Sequence, residues 1–245
     1  MSIRFNFTET AYKDLIESIK NNGYTFALFS CASGTEHKHV LLRHDIDMSP
    51  HRAATLAAIE KQKGAISTYF LHLHSKFYNL FEDNVVEKIN MIIDCEQVLG
   101  LHFDIDFYTN NFKSIDPFDM IDIERDFVWD TFGRKPMAIS FHIPSLSSVE
   151  IPDSEKIRGI PNAHSKYIRE NYAYCSDSNA MWNHNSIESL IEKSPKIHLL
   201  IHPEWWTYNK MDRMDKAFRC INGRCDYQVH YYNMIMEDVY AKKYR

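Results

Sequence analysis

The sequence lacks long apolar runs. No stretch approaches the roughly 18 apolar residues that a helix needs to cross a bilayer. The opening segment MSIRFNFTETAYKDL also has no continuous apolar core of the signal-peptide kind. From these two absences we expect a cytoplasmic protein without a membrane span.

Clustered basic residues are also absent. Lys and Arg number 28 against 33 Asp and Glu, so the formal net charge is −5, and the sequence pI is about 6.2. Binding to nucleic acid depends on Lys and Arg gathered along one surface. We therefore expect no nucleic-acid partner.

Cysteine is scarce and follows no framework. The five cysteines are an odd number and are scattered along the chain, which is unlike a fold held together by disulfides. Cys220 and Cys225 are close in sequence, but their spacing is not the Cys-x-x-Cys of a zinc knuckle. We expect reduced and mostly buried thiols.

What is present is an alternation of short β-rich runs with amphipathic segments of helix length. This alternation is typical of repeated βα units, and 245 residues with 44% hydrophobic side chains can fill one sizeable core. We expect a single domain over residues 1–245 with an α/β barrel fold. The predicted strands are 24–29, 39–43, 65–73, 99–103, 136–143, 172–174 and 198–202.

Five helices are predicted between these strands, whereas 145–180 is expected to be mainly loops. The expected helices run from a cap at Thr8 or Thr10 to Gly23, from Pro50 to Gly64, over 84–99, over 121–133 and over 227–244.

Ionisable side chains follow the ends of four predicted strands. They are His44, Asp45 and Asp47 after the second strand, His102 and Asp104 near the end of the fourth, His142 after the fifth and His202 after the last. In an α/β barrel the carboxyl ends of the strands converge on one mouth. One such histidine alone is more often a hydrogen-bonded core residue, but the joint pattern predicts a shared site.

Carboxylates and imidazoles that meet at one point form a site for a divalent cation such as zinc. The cation would also be the partner that the charges at the end of an apolar strand require. Asp45 and Asp47 are two residues apart, so one can bind the cation while the other accepts a proton from water.

The motifs in this order resemble those of the polysaccharide deacetylase superfamily, also called the NodB-homology or carbohydrate esterase 4 family. They are His-Asp-x-Asp at 44–47, Gly-Leu-His-Phe-Asp at 100–104, Ser-Phe-His-x-Pro-Ser at 140–145, Ser-Asp-Ser at 176–178 followed by Trp182, and Leu-Ile-His-Pro-Glu-Trp-Trp at 200–206. The resemblance covers about 40–206 and is nearest to a branch associated with surface-polysaccharide biosynthesis. It implies a distorted (β/α)7-type, NodB-like barrel and metal-dependent removal of an N-acetyl group from an amino sugar.

The resemblance also implies roles for individual residues. Asp45 matches the catalytic base, Asp47 the metal-binding aspartate and His102 the first metal histidine. His202 matches the histidine that acts as general acid on the leaving amine, and Asp177 an aspartate that orients it. The implied cofactor is a divalent metal, with zinc preferred and cobalt, nickel or manganese as alternatives.

The chain departs from the family at the third metal ligand. The family places a second histidine four residues after the first, where this sequence has Asp106. His142, which stands where the family usually has an arginine, is the preferred replacement, and Asp104 and Asp106 remain open.

Three further residues are assigned to substrate binding or orientation, one of which is Asp104, the residue that also remains open as the third ligand. His44 lies inside the first motif, and Trp205 follows the last strand, where an aromatic ring can stack on a sugar face. Two other functions remain open. One is an amide-processing enzyme of the same fold acting on another acylated metabolite, with or without metal, and the other is an inactive sugar-binding protein.

Overall fold

The computed structural model describes residues 6–147 and 149–243. Its main sheet has seven strands: β1 (Thr25–Ala27), β2 (His39–Ile46), β3 (Thr68–Leu71), β4 (Val98–Phe103), β5 (Ile139–Phe141), β8 (Ala173–Ser176) and β9 (Lys196–Ile201). A short antiparallel pair, β6 (Lys156–Ile157) and β7 (Ile160–Pro161), lies in the connection after β5.

The helices described in the structure connect or flank these strands. They are α1 (Glu9–Asn21), α2 (Pro50–Lys63), α3 (Asp83–Asp94), α4 (Ile105–Asn111), α5 (Met120–Phe132), α6 (Lys166–Asn171), α7 (Ile187–Lys193) and α8 (Arg213–Lys243). Among them, no helix is both long enough and apolar enough to span a bilayer.

Every pairing in the main sheet is parallel. The hydrogen-bonded order is β5-β4-β3-β2-β9-β8, and β1 pairs with the first half of β2. Because the strands are parallel, all of their carboxyl ends lie at one edge of the curled sheet. This architecture confirms the expected α/β class and is consistent with a distorted barrel.

The predicted helix boundaries are correct where capping residues mark them. Thr8 accepts a hydrogen bond from the Ala11 amide as the N-cap of α1, and Ser49 caps α2, which ends at Gly64 with φ of 64°. The prediction is wrong for α3, which begins at Asp83 rather than after an Asn84 cap, and for α8, which begins at Arg213 rather than Tyr227. The five cysteines are free, as expected, but the expectation that most of them are buried is wrong, because Cys175 alone is buried while Cys31 and Cys225 are exposed.

Close packing of β3 against β4 depends on a glycine. A Cβ atom built on Gly100 would lie 2.7 Å from the Phe70 ring, whose side chain is fully buried. Only glycine therefore lets Phe70 pack across the middle of β4, two residues before His102.

A buried polar cluster lies behind β2. The Glu60 carboxylate on α2 accepts hydrogen bonds from Ser67 (2.7 Å) and Tyr69 (2.9 Å), pairs with His44 Nε2 (2.6 Å), and also accepts from Tyr12. His44 and Glu60 are both completely buried. The structure therefore places His44 away from the strand-end residues, because alternate side chains of a strand point to opposite faces.

Replacing Glu60 by Ala is expected to destabilise the fold. The change removes the acceptor of several buried donors, and each buried donor left without an acceptor costs about 1–3 kcal/mol. Urea denaturation measures the difference, with Glu87→Ala on exposed α3 surface as the control, for which a change within about 0.5 kcal/mol is expected. Equal stability of the two variants would contradict a structural role for this cluster.

Candidate metal centre and active site

A cavity of about 750 Å³ opens at the carboxyl edge of the sheet. Six of the residues predicted from the sequence line it: Asp45, Asp47, His102, His142, His202 and Trp205. Five of these side chains come from β2, β4, β5 and β9 or from the first residue after these strands, and Trp205 lies in the 3-10 turn that follows β9. The parallel topology therefore brings together residues that are far apart in sequence.

Asp45 is held by an arginine from its own strand. Arg43 Nε donates to Asp45 Oδ1 at 2.7 Å and a terminal nitrogen of Arg43 donates to Oδ2 at 2.6 Å. Asp45 is 2% exposed. Burial alone would raise its pKa, but the charges of Arg43 and His102 outweigh this effect and lower the pKa to about 2. Asp45 is therefore a fixed carboxylate at the cavity wall.

His164 completes the support of Asp45. The second terminal nitrogen of Arg43 lies 3.1 Å from His164 Nε2. A guanidinium can only donate a hydrogen bond, so His164 Nε2 is the acceptor. Burial and the charge of Arg43 hold the pKa of His164 well below its usual value. A neutral His164 thus fixes the guanidinium that in turn fixes the carboxylate.

Asp47 lies among histidines. Its Oδ1 is 3.2 Å from His102 Nε2 and its Oδ2 is 3.8 Å from His202 Nε2. Burial would raise the pKa of Asp47, but these imidazoles lower it well below the usual range. Asp47 Oδ1 is buried, and the geometry of its 3.2 Å contact with His102 Nε2 falls short of a hydrogen bond.

One set of donor atoms is compact enough to hold a metal ion. Ligand atoms of Asp47, His72 and His142 all lie within 4.8 Å of one another. Asp104 Oδ2 lies 3.5 Å from His72 Nε2 and 3.7 Å from His142 Nδ1, so its negative charge faces both rings.

The chemistry of this set fits a divalent cation. His72 is 5% exposed, and neither of its ring nitrogens makes a hydrogen bond to a described residue. Burial lowers its pKa, which favours the neutral imidazole that binds cations. Burial lowers the pKa of His142, but Asp104 raises it by more. A cation that binds His142 would therefore displace a proton from its ring. The unpartnered atoms of Asp47 and His72 are therefore what a bound cation would satisfy.

His102 adjoins this set from β4. Its Nδ1 is 2.8 Å from Ser140 Oγ, and its Nε2 lies between Asp47 (3.2 Å) and Asp45 Oδ2 (3.6 Å). Its ring centroid is 5.4 Å from that of His142. The ligand role that the resemblance implies for His102 stays a prediction, because its Nε2 is free to face either carboxylate or a shared ion.

The other two alternatives for the third ligand lie outside the compact set. Asp104 caps α4 by accepting from the Phe107 amide at 3.0 Å. Asp106 lies within α4 and accepts a hydrogen bond from Ser147 at 3.0 Å. His72 was not predicted from the sequence, because the predicted strand 65–73 extended past it. In the structure β3 ends at Leu71, so His72 is the first residue after its strand, as His142 and His202 are.

His202 is oriented by Asp177. Both the His202 amide and its Nδ1 lie 2.8 Å from Asp177 Oδ1, while the Trp206 indole donates to Oδ2 at 2.7 Å. Burial would lower the pKa of His202, but the hydrogen bond and charge of Asp177 raise it to about 10. His202 is therefore a protonated acid whose Nε2 faces the Asp47 side of the cavity.

Glu204 and Trp205 form the wall beside His202. Glu204 is 2% exposed, and burial together with the charge of Asp47 raises its pKa to about 8. Trp205 is half-buried and lines the cavity, where its ring offers an apolar surface. Sequence reasoning missed Glu204 because its side chain becomes a cavity residue only through the short 3-10 turn that follows β9.

Known proteins show little similarity to this chain. No family model matches the sequence, and no curated protein matches it. Among solved structures, the chain is similar to the Streptococcus pyogenes deacetylase PplD in complex with acetate, with a TM-score of 0.40 and 12% identity over 86% of this chain and 85% of that one. Neither the fold described above nor the function proposed below rests on so distant a similarity.

Replacing His72 by Ala is expected to weaken metal binding. Changing even the residues that only orient metal ligands costs about 10-fold to 100-fold in affinity, so loss of a ligand should cost at least as much. Zinc content after dialysis and zinc titration calorimetry measure the effect, with exposed His37→Ala as the control and Asp47→Ala as a second ligand variant.

His102→Ala discriminates between the two possible sets of ligands. If His72→Ala bound zinc like the unmodified chain and His102→Ala did not, the ligand set would be Asp47, His102 and His142, and the assignment of His72 would be wrong.

Proposed function

We propose that this protein is a metal-dependent hydrolase that removes an N-acetyl group from an amino sugar. The observation that carries the proposal is one cavity lined by an ionised Asp45, a protonated His202, and Asp47 and His142, two members of the compact Asp47–His72–His142 set whose third member, His72, is buried beside them. Hydrolysis of an amide needs a base for water, stabilisation of the oxyanion and an acid for the leaving amine. These three requirements match the three groups.

The residues act in a defined order. Asp45 accepts a proton from the attacking water, and the Arg43 guanidinium keeps its carboxylate oriented before and during the transfer. His202 donates its proton to the departing amine, and Asp177 stabilises the imidazolium until that step. When bound by Asp47, His72 and His142, a divalent cation supplies Lewis-acid polarisation and a lowered water pKa.

The proposed substrate class follows from the cavity wall. Its volume of about 750 Å³ is sufficient for a sugar residue, and Trp205 provides a ring on which a sugar face can stack. The motif resemblance favours a surface-polysaccharide precursor, and a divalent ion such as zinc is the proposed cofactor. The assay compares free, nucleotide-linked and lipid-linked sugars as substrates.

A second candidate is an amide hydrolase of the same fold acting on another acylated metabolite. His142, which stands where the family usually has an arginine, favours this candidate because it changes the residues around the proposed ion. Acetate release from N-acetyl amino sugars that stops with a chelator and returns with zinc favours the sugar deacetylase. Release from other acylated amines alone favours the second candidate.

Replacing Asp45 by Asn is expected to reduce kcat by about 100-fold or more, because an amide cannot accept the proton that general-base catalysis requires. Bound zinc should remain unchanged, since Asp45 is not in the proposed ligand set. The assay is acetate release from a panel of free, nucleotide-linked and lipid-linked N-acetyl amino sugars, with zinc content measured on the same samples.

Asp130→Asn, an exposed change on α5, is the matched control and should retain full activity. Two results would contradict the proposal. One is a zinc-loaded chain that releases acetate from no member of the panel, and the other is an Asp45→Asn variant as fast as the control.

A further inference from the structure

The last helix, α8, carries an apolar stripe on the half that extends into solvent. Arg224 joins the helix to the body by donating to Glu82 at 2.9 Å. From Gln228 to Lys243 every residue is exposed except half-buried Met236. An isolated helix of this length is only marginally stable in water. A partner that covers the stripe would therefore stabilise this half of the helix.

The apolar residues of the stripe have coiled-coil spacing. Cys225, Val229, Tyr232, Met236 and Val239 follow one another at alternating steps of four and three residues. Val229 is 60% exposed, Tyr232 62% and Val239 50%. A repeat that averages 3.5 residues keeps these side chains on one seam of the helix, which is the pattern by which two helices pack against each other.

We propose that the stripe is covered by α8 of a second copy of this chain, running antiparallel. The register that matches the seam places Val229 against the partner's Val239 and Tyr232 against the partner's Met236. By symmetry each contact occurs twice, as a closed two-fold interface requires. The axis passes at the level of Met234, and apolar side chains fill the layers on both sides of it.

Charge favours the antiparallel direction over the parallel one. In the antiparallel register the partner's Lys243 lies beside Asp226, so opposite charges meet at both ends of the seam. A parallel pair would place Lys243 against the partner's Lys243 in the seam. Like charges across an interface are unfavourable, and Glu237 and Asp238 lie outside the seam in either direction.

The antiparallel register also separates the two bodies. The exposed segment from Cys225 to Lys243 is about 27 Å long at 1.5 Å per residue. Each body therefore begins where the partner's described helix ends, at opposite ends of the paired segment. The cavity at the carboxyl edge of the sheet is not part of this interface, so the proposal is independent of the proposed function.

Light scattering coupled to size-exclusion chromatography tests the dimer. The full chain is expected at twice its 28.9 kDa mass, and the double variant Val229→Asp with Val239→Asp is expected at the mass of one chain. Met234→Asp places the same charge on the opposite face of the helix and should stay dimeric. A monomeric full chain, or a dimer unaffected by the double variant, would overturn the proposal.

Disulfide trapping tests the register. In a chain whose native Cys220 and Cys225 are replaced by Ser, Val229→Cys with Val239→Cys should oxidise to a covalent dimer. Peptide mapping should join position 229 of one chain to position 239 of the other. Disulfides that join 229 to 229, or oxidation of the unmodified chain through Cys225, would show a parallel pair and contradict the assignment.

Discussion

Two carboxylates at the end of a fully buried strand are the constraint on which the site depends. All eight residues of β2 are buried, and an unpaired charge at its end would cost several kcal/mol. Asp45 is compensated by the two-point contact with Arg43, which His164 holds in turn. Asp47 has imidazoles around it and a buried oxygen without a hydrogen bond, which is the arrangement a cation completes.

The parallel sheet makes this concentration of charge possible. His72, His142 and His202 follow three different strands, yet all of them lie at the same edge because the strands run in one direction. On the opposite face of β2, Glu60 fixes the same strand through a separate buried network. The end of β2 is thus held from both faces, which limits the positions that Asp45 and Asp47 can take.

Strand periodicity explains most of what the sequence could and could not predict about β2. Side chains two residues apart point to the same face, so the pairing of Arg43 with Asp45 was within reach of the sequence. The same rule places His44 on the other face, where it contacts Glu60 instead of the cavity. The parallel strands and their ionisable ends were predicted because several separate motifs carried the same pattern.

The alternation of side chains along a strand cannot predict the site residues that lie in irregular segments. His164 lies between β7 and α6, in a region predicted only as loops, and no local pattern indicates that it contacts Arg43. His72 was ambiguous because the predicted strand was longer than β3, so its last residues could be placed on either face. Glu204 enters the cavity through the short 3-10 turn Pro203–Trp205, which no pattern in the sequence indicates.

Anomalous diffraction from crystals soaked with zinc tests the central claim most directly, because it locates the ion without reference to activity. The account predicts one strong peak at about 2.0–2.2 Å from an oxygen of Asp47 and a ring nitrogen of each of His72 and His142. Absence of a peak at saturating zinc, or a peak coordinated elsewhere while these side chains point apart, would contradict it.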